Sequence, residues 1–154
     1  MSSKSPKIAA MIEAFRGQSF DAHYLAYFDC FNRQLFYEAH DVLEEMWLPQ
    51  KKEPNGSFYK GLIQLAGAFV HLQKQRLQPA AALFKLARTN LRQYPPVHEG
   101  LGLEGIWTLM DDWLARLEAN NFTRNPLTEG QAPRLGLPIG PESGGSDIGN
   151  AGQV

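Results

Sequence analysis

A chain of 154 residues, 44% hydrophobic and 20% charged, is long enough for one packed domain and too apolar for wholesale disorder. Its 15 basic and 16 acidic side chains cancel, so no overall charge steers it to nucleic acid or an acidic membrane. One cysteine makes neither a disulfide framework nor a zinc finger, and no uncharged apolar run nears the ~18 residues of a membrane span.

Ile8, Met11, Ile12 and Phe15 form one face of a short helix over residues 6–15, ended by Gly17. Ser19 and Asp21 are caps for a second helix over 22–32, with Leu25, Phe28 and Phe31 along one side and Cys30 off it. A third spans 36–48 and stops at Pro49. Its stripe is Phe36, His40, Leu43 and Trp47, widened by Ala39, Val42 and Met46. Residues 50–56 are polar turn formers. From 57 to 75 the chain is apolar almost all round, as a buried central helix is. Pro79 suits the first position of the next helix, which Pro95–Pro96 stops. There Leu83, Leu86, Ala87, Leu91 and Tyr94 are expected to face inward, with Lys85, Arg88 and Arg92 opposite. A last helix runs over 104–120. No segment alternates long enough for a sheet strand. Ala39 and Ala81 sit early in two helical hairpins, which resemble the paired helices of tetratricopeptide units.

The final residues differ. Positions 120–154 hold 7 of 14 glycines and 4 of 10 prolines but one of 17 aromatics, Phe122, and so lack the apolar area to order themselves. Leu135, Leu137 and Ile139 alternate with Gly136 and Pro138, an extended pattern. The expected organisation is an all-α domain over 1–119, a compact bundle of five to six helices, plus a Pro/Gly-rich tail over 120–154, loosely held or strapped onto the bundle.

Chemistry-bearing groups concentrate at residues 37–47. His40 lies on the apolar face with Glu44 one turn on, while Glu38, Asp41 and Glu45 form an acidic stripe on the other side. On the apolar central helix Lys60, Gln64 and His71 are the exceptions, and Gln64 and His71 share a face beside Gly67. Buried polar groups cost roughly 1–3 kcal/mol each when unpaired, so the two sets are expected to meet. His40, Glu44 and His71 would then be ligands or acid–base groups, with Gln64 orienting them; the plain alternative is a hydrogen-bond network that fixes helix register. No Glu-x-x-His pair of the carboxylate-iron bundles and no His-Glu-x-x-His occurs. Gly100-x-Gly102-x-x-Gly105 follows no strand and reads as a helix-entry loop rather than a dinucleotide loop. Cys30 has no His to activate it, and His23 and His98 read as surface or capping residues. The Lys85, Arg88 and Arg92 stripe, with Lys74 and Arg76 near the preceding turn, offers phosphate contacts, but no exposed aromatics interleave it, which argues against nucleic acid.

Phe31-Asn32, then Phe36 through Trp47, then Tyr59-Lys60-Gly61-Leu62-Ile63-Gln64-Leu65-Ala66 and His71, resemble in order and spacing the signature of the domain of unknown function 309 family. The resemblance covers roughly residues 22–95. It implies a compact all-helical fold, no assigned activity, and Glu38, His40, Glu44, Trp47, Gln64 and His71 as signature positions. Asp41 stands where that family usually has Glu, and Arg33-Gln34 where it often has Gly.

Three readings of function follow. The leading one is a binding module with an internal polar pocket, gated by Trp47, for a small ligand or a partner's side chain. The second is a metal-assisted hydrolase in which His40, Glu44 and His71 hold the ion, with Glu38 the general base if it turns inward. The third is a structural or oligomerising protein whose polar cluster only fixes packing. The charged first residues have no apolar stretch behind them, so no signal peptide and a cytoplasmic location are expected. Ligand, cofactor, metal and oligomeric state are not legible.

Overall fold

The computed structural model describes residues 5–128 and 130–140. Residues 1–4, part of the start on which the expectation about a signal peptide rests, and the end of the expected tail, 141–154, lie outside the described residues. Six α-helices occur in it: α1 Ser5–Ile12, α2 Ala22–Asn32, α3 Phe36–Trp47, α4 Gly56–Gln73, α5 Leu77–Leu91 and α6 Leu103–Ala119. The all-α class is as the periodicities predict, and most boundaries fall within two residues of the expected ones. Asp21 caps α2, its carboxylate accepting from His23 N–H at 2.7 Å. Pro79 sits two residues inside α5 rather than at its first position. The first-turn N–H groups have no intrahelical partner, so proline costs little there.

Packing radiates from α4, which lies against α3 and α5 along its length. Its Phe69 is the hub. The ring meets Phe31 of α2 at 5.5 Å, Phe36 of α3 at 5.0 Å, Phe84 of α5 at 5.2 Å and Trp113 of α6 at 4.9 Å. All but one of these contacts are edge-on, the arrangement ring quadrupoles favour. Tyr27 is wholly buried and donates to the Leu62 carbonyl at 2.6 Å, which ties α2 to α4 and leaves no orphaned hydroxyl. Cys30 is buried, contrary to its expected position off the apolar face, with its Sγ 3.8 Å from Met11 Sδ. The wheel of α2 alone does not include α1, which packs across that side.

Between α5 and α6 stands a two-residue hairpin, β1 Val97–His98 with β2 Leu101–Gly102, which the sequence reading missed. Its turn residues Glu99 and Gly100 have φ of +50° and +71°, the signs a tight hairpin turn requires. Glutamate is an unusual occupant of that region, which hid the turn. Gln34, just beyond the end of α2, has φ +64°, so the chain turns left-handed where glycine was the expected occupant of the family pattern.

After α6 the chain folds back over the bundle. Buried Asn125 donates to the Leu72 carbonyl at the end of α4 at 2.6 Å. Farther on, Asn32 holds Leu135 at both backbone groups, accepting from its N–H at 2.7 Å and donating to its carbonyl at 2.9 Å. Ile139 N–H then donates to the Gly100 carbonyl at 2.9 Å.

Candidate functional site

Glycine at position 67 opens the site. A Cβ there would meet Leu83 Cδ1 of α5 at 3.2 Å and His40 Cδ2 of α3 at 3.8 Å, so the floor is bare backbone between two walls. The result is a groove of about 480 Å³ along α4. From α4 come Lys60, Gln64 and His71, with Lys74 just past its end; from α3, Tyr37, His40 and Glu44; from α5, Leu83 and Leu86. Lys60 to Lys74 spans fourteen residues, about 21 Å of helix. Four of the six signature positions, His40, Glu44, Gln64 and His71, therefore share one cleft. The cleft is at the surface rather than inside the bundle. Leu86, expected to face inward, is 51% exposed on its rim, because small Ala80, Ala81 and Ala87 with Phe84 form the buried face of α5 instead.

The other two positions lie elsewhere. Glu38 accepts from Lys7 Nζ at 3.1 Å on the side of α3 facing α1, away from any base role in the cleft. Trp47 does not line the groove but stands behind Lys60, which does. Its Nε1–H donates to the Gly56 carbonyl at 3.0 Å, and Lys60 Nζ lies 4.4 Å from its ring centroid.

Beside the cleft, Asp41 corrects the wheel. It belongs not to an exposed acidic stripe but to the buried set, at 7% exposure, with Oδ1 3.1 Å from His40 Nδ1. An angle on one helix says nothing of what packs over it, and burial here overrides the angle. An ionised carboxylate only accepts, so a neutral His40 carries its proton on Nδ1 and keeps its lone pair on Nε2. One ligand atom each from His40, Asp41 and Glu44 lie within 4.8 Å of one another. His71 is not part of that cluster. Burial, then the nearby Arg76 and Lys74, holds the His71 pKa below its ordinary value, and its Nδ1 is buried with no hydrogen-bond partner. Gln64 accepts from Asn90 Nδ2 at 2.7 Å, so α5 fixes its orientation.

Tyr37, Lys74 and Leu83 were not among the expected site residues. The signal for the lysine was there: 60, 64, 67, 71 and 74 form one stripe of polar or small residues on an otherwise apolar helix. The remaining candidates are structural. His23 bridges Asp21 at 3.0 Å and Glu45 at 3.2 Å, joining α2 to α3. His98 packs on Phe58 and Tyr94 and bonds to Asn55 Oδ1 at 2.7 Å. Burial lifts the Cys30 thiol to about 11, which removes its nucleophile at neutral pH. Arg88 of α5 and Arg92 just past its end both bind Asp111 of α6, at 3.0 and 3.1 Å, and Lys85 reaches Glu118 at 3.7 Å. Lys85, Arg88 and Arg92 are thus answered within the fold.

No helix of the described residues is long and apolar enough to cross a membrane. The chain is similar to an uncharacterized protein of Aquifex aeolicus (strain VF5), 31% identical over 86 residues, which cover 56% of this chain and 26% of that protein. The chain thus spans about a quarter of that relative's length. No solved structure matches significantly. A family model described as Domain of unknown function (DUF309) matches residues 24–83, a span that holds all six signature positions.

Proposed function

We propose that the groove between α3, α4 and α5 is the working site and that the protein is a binding module for a small ligand or a partner's side chain. The observation that supports this is the convergence of His40, Glu44, Gln64 and His71, from two helices, on one open cleft with an apolar wall. A pure register network would be sealed, whereas His40 keeps 31% of its side chain exposed. Specific sites combine such apolar walls with a few polar groups that orient the occupant. Native mass spectrometry of tag-free protein purified without chelators tests this. The expected result is a stoichiometric bound mass that His40→Ala and His71→Ala remove while stability stays within ~1 kcal/mol. Loss of stability with no loss of binding would make the cluster architectural.

A second reading is supported by the 4.8 Å grouping of His40, Asp41 and Glu44. One imidazole and two carboxylates suit a divalent transition ion, and an ion there would supply activated water for hydrolysis. Asp41 takes the place expected of His71. Calorimetric titration with Zn²⁺ and Mn²⁺ should give one site per chain, abolished by His40→Ala and Glu44→Gln. Uptake that survives both substitutions removes this reading.

A further inference from the structure

The groove holds one acid, Glu44, against two ammonium groups, Lys60 and Lys74, and this excess of positive charge selects an occupant. Residues 54–98 carry six Lys or Arg and no acid. Lys85, Arg88 and Arg92 are answered by Asp111 and Glu118. The other three, Lys60, Lys74 and Arg76, have no acidic partner among the described residues. Lys60 rests on the Trp47 ring. Lys74 lines the groove beside His71, and Arg76 stands two residues on, so one end of the cleft is cationic. Their field reaches the cleft, since both disfavour a proton on His71. From that end an apolar strip runs along Val70, Leu83 and Leu86.

We propose that the groove takes an amphipathic anion. Its carboxylate, sulfonate or phosphate head sits at Lys74 and His71, and an apolar body of ring or short acyl-chain size lies along Val70, Leu83 and Leu86. This rests on the groove being the working site and adds the chemistry of its ligand. The Lys74 ammonium and a His71 N–H would face the head, and hydrogen bonds to an anion are stronger than those between neutral groups. The cleft volume of about 480 Å³ suits a small molecule.

Two fluorescent probes with the same ring system decide it: anilinonaphthalene sulfonate, an anion, and phenylnaphthylamine, its neutral counterpart. On the folded full chain the anion should bind one per chain, on the order of tenfold tighter than the neutral probe at low salt. Lys74→Gln, at an exposed position, should remove most of that preference without shifting the melting temperature or the neutral probe's affinity. Val70→Trp, which fills the groove, should expel both. Decanoate and decyl phosphate should displace the anion where decanol does not, and the better competitor identifies the head group. Equal affinity for the two probes, or a preference that survives Lys74→Gln, overturns the anion while leaving the groove as a binding site. If neither probe binds, or Val70→Trp changes nothing, the groove reading falls and takes the anion with it.

Discussion

At His71 a single side chain reports its surroundings through pH. Its depressed pKa comes first from burial and then from Arg76 and Lys74. The unfolded chain, with the ordinary value near 6.5, binds the proton more readily than the folded one. Stability is therefore full above the unfolded value and declines as pH falls from about 7 through 6.5 toward the folded pKa. In His71→Asn the melting temperature should fall less steeply between about pH 7 and 5; an unchanged slope would mean that other groups carry it. The sequence shows that His71 shares a face with Gln64, but not that two cations stand beside it without acids, because that depends on which charges α6 has already taken. Asp41 makes the same point from the other side. Its place on the wheel was opposite the apolar stripe, and it is buried all the same.

Among the elements, α4 is the one whose composition states its role. It is apolar nearly all round, and it is the central helix. Its glycines are placed by the neighbours. A Cβ at Gly61 would lie 2.7 Å from Leu91 Cγ and 3.2 Å from Asn90 Cβ, so side chains of α5 pack directly on the bare backbone of α4 there. Gly61→Ala gains ~1 kcal/mol of helix propensity but forces apart a packed contact worth about 1–3 kcal/mol, and a net loss of stability is expected in denaturant titration. Gly105, in the first turns of α6, has open space at its Cβ position. There Gly105→Ala should stabilise by up to ~1 kcal/mol. If the two substitutions shifted the midpoint alike, the close packing would be wrong. Nothing in the sequence separates these two helical glycines; only the distance to the next helix does.

For the whole molecule, the chain after α6 acts across the bundle. Asn32 closes two hydrogen bonds on Leu135, whose side chain is 5% exposed, and Arg134 beside it also reaches the Asn32 carbonyl. Asn32→Ala should leave the helical bundle folded by circular dichroism while speeding tryptic cleavage after Arg134 severalfold. Cleavage at the parental rate would show that Leu135 burial alone holds the segment. The alternation of Leu135, Leu137 and Ile139 marked an extended segment. It did not say which residue turns inward, since Leu137 is 64% and Ile139 71% exposed.

The all-α class, the approximate helix bounds and the choice of central helix were determined by the sequence itself, because spacing of 3.6 residues and the breakers at Gly17, Pro49 and Pro95 are local properties of the chain. The pairing of His40 with Asp41, the charge left over at Lys74, and the opening of the cleft at Gly67 were decided only by tertiary structure. Each depends on how closely a second helix approaches and which partners it brings. That distance is a sum over the whole packed core rather than a feature of any one segment.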